Sequence, residues 1–278
     1  MKCIAMASGK GGVGKTLLTA AFGFALAEEG RRVLLIDGDM GLRNLDIPLG
    51  LSDRLKRNAW DLARGRCLER EAILSAGRGL DFLPASEEEG WKEISRPALH
   101  TVLEDVAERY DVVLLDCPAG LGKGIRFAEE AADAWLLVVG PSRASLRDAA
   151  RMAERLRGTH PFHVIFNNFQ CGSEAAVSLA SVMKEAEGLP VLGAVPHSAE
   201  ADRLAQEGRL AALPGESAFR EAVSLVLHAL RTGAAYPLSR WETLLDRAAA
   251  EGKSGDGGAS PLAAWRRRQS GARWRRRP

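Results

Sequence analysis

Short apolar runs separated by longer amphipathic stretches set the rhythm of this chain. Cys3–Ala7, Val33–Ile36, Val112–Leu115, Trp135–Val139, His163–Phe166 and Val191–Val195 are brief, largely apolar and carry Val or Ile. Runs of this kind, with no polar alternation, suit strands buried on both faces. Between them lie Lys15–Glu29, Pro97–Arg109, Ser145–Arg157 and Ala175–Glu187, where the apolar positions recur at helical spacing. The alternation predicts an α/β fold: a doubly wound, mostly parallel sheet flanked by helices. Ligands of such sheets bind where loops leave the carboxyl ends of strands, so candidate chemistry is sought there.

Toward the end the pattern changes. Pro237–Ala250 places Leu238, Trp241, Leu244, Leu245 and Ala248 on one helical face, which predicts a helix packed on the body rather than a membrane anchor. Residues 251–261 read as a flexible linker, and residues 262–278 as a basic Trp/Arg tail. The expected organisation is one domain over 1–250, then linker, then tail.

Composition narrows the class. The 278 residues are 46% hydrophobic, ordinary for a packed domain. No run reaches the roughly 18–20 apolar residues of a membrane span. The N-terminus turns to glycine too early for a secretory segment, which predicts a cytoplasmic protein. Cys3, Cys67, Cys117 and Cys171 are far apart and form no C-x-x-C pair, as expected of reduced, buried thiols. The net charge of +2 hides an asymmetry: residues 251–278 carry +6, which leaves −4 on the rest. Such a tail suits a polyanion, either an anionic membrane or nucleic acid.

The strongest local signal is Gly9-Lys10-Gly11-Gly12-Val13-Gly14-Lys15-Thr16, which fits G-x-x-x-x-G-K-[ST]. Glycines let backbone N–H groups turn inward around phosphate oxygens. Lys15 offers an ammonium to the β- and γ-phosphates, and the Thr16 hydroxyl is a Mg²⁺ ligand. A helix opening near Lys15 aims its positive end at the same anion. The competing reading, a glycine-rich turn without a ligand, is set aside by the predicted strand before it and helix after it. Lys10 is not needed to cradle phosphate; it is either a solvated surface lysine or a charge for a partner's phosphates. Asp37 and Asp39 close the second apolar run and Asp116 closes the third, positions suited to Mg²⁺ and to orienting water. Asn167 follows His163–Phe166; its amide suits an adenine edge or a local turn. Pro196 ends the last run, either simply stopping a strand or lining a base.

KGGVGKT resembles the deviant phosphate loop of the MinD/ParA family of ATPases. Asp37–Asp46 (DGDMGLRNLD), Leu83–Ser86 (LPAS), Asp116–Gly120 (DCPAG), Pro141 and Ser145–Asp148 (SLRD) carry the resemblance over about residues 1–233 and favour the MinD side over ParA. The resemblance implies ATP and Mg²⁺ as cofactors and hydrolysis to ADP and phosphate. It implies that Lys10 crosses a dimer interface to the partner's phosphates, that Lys15 and Asp39 act in catalysis with Asp39 placing the attacking water, and that Thr16, Asp37 and Asp116 serve the metal. Asn167 and Pro196 would meet the base, although Asn168 stands where the family usually has a basic residue. The implied partners are a second copy in the ATP state, MinC-like and MinE-like proteins, and an anionic membrane met peripherally, at its inner face, through the basic tail. The implied role is placing a division-site inhibitor. Trp265 and Trp274 are nine residues apart and face opposite sides of an ideal helix, a departure from the family's amphipathic end. Nucleic acid therefore stays open for the tail, as do ParA-like or flagellar placement, and a nucleotide-holding scaffold without turnover.

Overall fold

The computed structural model describes residues 3–90, 95–120, 122–170 and 178–255. Eight strands form one sheet: β1 (Cys3–Ala7), β2 (Val33–Asp37), β3 (Leu74–Gly77), β4 (Leu80–Leu83), β5 (Val112–Asp116), β6 (Ala134–Val139), β7 (Phe162–Phe169) and β8 (Val191–Pro196). Their order is β3-β4-β2-β5-β1-β6-β7-β8. All neighbours are parallel except β3 and β4, which pair antiparallel. The helices are α1 (Lys15–Glu28), α2 (Asp46–Leu49), α3 (Ala59–Ala63), α4 (Glu69–Ala72), α5 (Arg96–Ala107), α6 (Lys123–Ala131), α7 (Arg143–Leu156), α8 (Leu179–Glu185), α9 (Ala199–Gln206), α10 (Ala218–Thr232) and α11 (Leu238–Gly255). The doubly wound expectation holds.

The six anticipated apolar runs are all strands. β2 and β6 are buried at every position, as central strands covered on both faces must be. β3 and β4 were not anticipated. They lie at one end of the sheet, and β3 alternates between half-buried and exposed positions and ends in glycine, so no apolar run marks it. β7 runs three residues beyond its expected end by way of an irregularity at Asn168, whose φ is +64°. Asparagine is among the few residues that tolerate this left-handed region. Four helices begin on a serine whose hydroxyl accepts a backbone N–H: Ser142 before α7, Ser178 before α8, Ser198 before α9 and Ser217 before α10. The expected helix Ala175–Glu187 is observed as α8; its first three expected residues, like Cys171, lie outside the described ones.

The amphipathic C-terminal segment packs on the body as predicted. Trp241, Leu244 and Leu245 of α11 are buried. Trp241 lies flat over Gly193 of β8, where any Cβ would overlap its ring. The helix runs to Gly255, so residues 251–255, expected to be linker, are helical. The physical reason is an anchor: the Glu251 carboxylate accepts the Ala218 N–H at 3.0 Å, where the N-terminus of α10 favours negative charge. The remaining linker residues 256–261 and the tail 262–278 lie outside the described residues. Among the described residues, no helix is long and apolar enough to cross a membrane.

A second close approach lies beyond the loop that follows β2. Gly50 ends α2 at φ +68° and Gly208 follows α9 at φ +68°; their backbones touch, and a Cβ on Gly208 would come within 2.7 Å of Gly50 Cα. Only glycine fits at either place.

Candidate nucleotide site

The loop Gly9–Gly14 leaves β1 and delivers Lys15 and Thr16 into the first turn of α1. Gly12 and Gly14 take φ of +79° and +83°, and Gly14 is the residue before the helix, with no side chain to cap it. The N-terminus of α1 is thus left to an anion from outside the chain. Gly9 is pressed against Asp148 of α7, with no room for a Cβ. Val13 is buried against Gly140, and Lys10 stands exposed on the loop.

Lys15 and Thr16 converge on one carboxylate. Lys15 Nζ lies 2.6 Å from Asp116 Oδ1, and the Thr16 hydroxyl donates to Asp116 Oδ2 at 2.7 Å. Thr19, one helical turn beyond Lys15, places its hydroxyl 3.0 Å from both Asp116 Oδ1 and the Lys15 carbonyl, so its single proton is shared between these two acceptors. Lys15, Thr19 and Asp116 are all buried. Burial alone would push the Lys15 ammonium toward neutrality, but Asp116 outweighs it and holds the pKa above its ordinary value.

Asp37 is fully buried and turns its carboxylate into the loop that follows it. It accepts backbone N–H bonds from Asp39 at 2.9 Å and from Asn44 and Leu45 at 3.0 Å each. Burial, with Asp116 adding to it, pushes its pKa up to about 6 even though these three donors pull the other way. Asp37, expected to support the metal centre, holds in this structure the loop that follows β2 through these three bonds. Asp39 is half-buried, and among the described residues its side chain has no hydrogen-bond partner. Burial first, and Asp116 second, raise its pKa against the pull of Lys15.

The LPAS segment also reaches this loop. Ser86 accepts the Gly41 N–H at 2.8 Å and donates its own N–H to Met40 Sδ at 3.3 Å. Arg43, at φ +41°, pairs with Glu87 at 3.0 Å. The SLRD segment supports the far wall: the Gly140 N–H donates to Ser145 Oγ at 2.9 Å.

Near the end of β7, Asn167 Nδ2 donates to the Val13 carbonyl at 2.8 Å, and its amide leaves neighbouring Gly14 no space for a side chain. Among the described residues, Asn167 Oδ1 is buried without a hydrogen-bond partner. An orphaned acceptor beside a phosphate loop fits an amino group such as that of adenine. Pro196 ends β8 in register with Phe169, next to this corner. Thr16, Asp37 and Asp116, the residues expected to serve the metal, supply hard oxygen donors beside Asp39, chemistry that fits Mg²⁺ holding part of its water shell. Among the described residues no cage of three or more His, Cys, Asp or Glu exists that would capture a metal without help from a ligand. Sequence reasoning missed Thr19, although its spacing of four from Lys15 puts both on one helix face.

An anion cradle at a helix start, with a lysine and a hydroxyl poised on a strand-end aspartate, marks a nucleotide-binding protein of the phosphate-loop class. The chain belongs to the CobQ/CobB/MinD/ParA nucleotide-binding family, whose domain matches residues 4–211, and to its MinD branch. It is 35% identical over 203 residues to a septum site-determining MinD homologue of Emiliania huxleyi, covering 71% of this chain and 75% of that one. The MinC:MinD cell division complex of Aquifex aeolicus contains a chain 32% identical, with a TM-score of 0.76 and coverage of 87% and 100%. MinD of Pyrococcus horikoshii, solved with Mg-ADP, is 27% identical with a TM-score of 0.73, covering 84% of this chain and 97% of that one.

Proposed function

We propose that this chain is a switch ATPase of the MinD type that dimerises around ATP, meets an anionic membrane in that state and positions a MinC-like inhibitor of division. The observation that carries the reading is the convergence of Lys15 and Thr16 on Asp116, beside a loop shaped by Asp37 that presents Asp39. Lys15 is charged and paired with Asp116. Phosphate oxygens entering the loop take the ammonium over from Asp116. Bound Mg²⁺ supplies charge neutralisation at the phosphates. Thr16 and Asp116 would hold that cation, with Asp37 supporting the same centre. Asp39, with no competing side-chain bond, orients the attacking water. Asn167 Oδ1 accepts the adenine amino group, Pro196 lines the base, and the exposed Lys10 reaches the phosphates bound by a second copy, where charge develops on hydrolysis.

The test is sedimentation with anionic vesicles in ATP and in ADP. Wild-type protein should pellet in ATP at least about tenfold more than in ADP, since two linked tails bind with higher avidity than one. Lys10→Ala should abolish the difference. Binding that ignores the nucleotide would sink the cycling role. ATP-dependent binding to DNA with a steep salt dependence, and none to vesicles, would replace the membrane with nucleic acid.

A further inference from the structure

Asp116 is held by three side chains, and the proposed chemistry removes two of them. Lys15 leaves for phosphate oxygens, and Thr16 turns its oxygen lone pairs toward the cation. The third is Thr19, outside the phosphate-loop motif, fully buried and with its hydroxyl placed 3.0 Å from Asp116 Oδ1. We propose that Thr19 is a positioning residue: it keeps the Asp116 carboxylate aimed at the cation once Lys15 and Thr16 have let go, and so sets how strongly Mg²⁺ tightens nucleotide binding.

Three features support this. The Thr19 hydroxyl also lies 3.0 Å from the Lys15 carbonyl, and sharing its proton with the backbone of α1 holds the rotamer that faces Asp116. The Asp116 backbone is fixed independently, its carbonyl accepting the Gly38 N–H at 2.8 Å, so the freedom left to the residue is in its side chain. A β-branched residue on a helix has few χ1 choices, which makes threonine a stiffer post than serine. A neutral hydroxyl is also the right donor for the post: it steadies a carboxylate without competing for the phosphate as a second cation would. A hydrogen bond to a charged group contributes about 1.5–3 kcal/mol, so its loss is visible as roughly a ten- to hundredfold change.

The inference rests on the proposed Mg²⁺-nucleotide reading, and the experiment separates the two. Fluorescent ADP is titrated into full-length protein in Mg²⁺ and in EDTA, and the ratio of the two affinities is read. Wild type should show a clear Mg²⁺ enhancement; its absence would overturn the nucleotide-metal reading itself. Thr19→Val, of the same shape but without the hydroxyl, should cut the enhancement about tenfold while leaving affinity in EDTA within about twofold. Thr19→Ser should recover most of the enhancement. In an Asp116→Asn background, Thr19→Val should have no further effect on the ratio, as a double-mutant cycle requires of coupled groups. Equal losses in Mg²⁺ and EDTA, or an unchanged ratio, would reduce Thr19 to a packing residue and overturn the proposal. Should Thr19→Val fail to fold, Thr19→Ala against Thr19→Ser gives the same comparison at smaller volume.

Discussion

Asp37 illustrates how one buried residue can shape the loop beside a site. Its three backbone bonds hold Asp39, Asn44 and Leu45 in place, yet full burial beside Asp116 lifts its pKa to about 6 from an ordinary 3.8. The folded state therefore holds this proton more tightly than the unfolded chain. Stability from the group is fully present below the ordinary value and is lost as pH rises through about 6, a swing of about 3 kcal/mol. Denaturation across about pH 4–7 should show wild type losing stability relative to Asp37→Asn as pH rises; a gap independent of pH would refute the assignment. At this scale the sequence was partly legible. Lys15 and Thr16 are neighbours in a motif, and their roles can be read from spacing. Thr19 on Asp116, or Asn167 on the Val13 carbonyl, cannot be read that way, because those partners lie 97 and 154 residues apart and meet only in the fold.

Among the elements, legibility followed burial. Strands covered on both faces announced themselves as apolar runs, and the phosphate loop was placed correctly between β1 and α1. β3 is partly exposed and carries no such run, and β4, though buried at three of its four positions, is only four residues long and broken by Asp81, so neither stands out in the sequence. The short α2, α3 and α4 gave no periodicity either, each being five residues or fewer. By contrast α11 was legible from its stripe, and its seat is specific: Trp241 fills the space that Gly193 leaves on β8. Trp241→Ala should lower the unfolding free energy by about 3–5 kcal/mol in urea titration. Because β8 ends at Pro196, nucleotide affinity measured on the folded variant tests whether the base corner depends on this helix; an unfolding loss below about 1 kcal/mol would mean that α11 is only lightly docked.

For the whole molecule, the position of Glu251 decides where the body ends. A chain stopped after Gly255 keeps the Glu251 bond to α10, whereas one stopped after Ala250 loses it. The first should melt with the full-length protein and the second should be weaker by roughly 0.5–2 kcal/mol, the usual effect of losing a helix cap, as differential scanning calorimetry would show. Equal melting of the two would place the boundary earlier. The contact of Gly50 with Gly208 has a consequence of another kind. It clamps the far end of the segment that follows Asp37, while the Gly38 N–H bond to the Asp116 carbonyl clamps the near end. What lies between behaves as a bowstring strung on a rigid frame, tied along its length where Asp37 holds Asp39, Asn44 and Leu45 and where Ser86 holds Gly41. Between those ties Leu42 stands out, 67% exposed, so under the proposed switch it is the point at which a neighbouring molecule would feel the bound nucleotide.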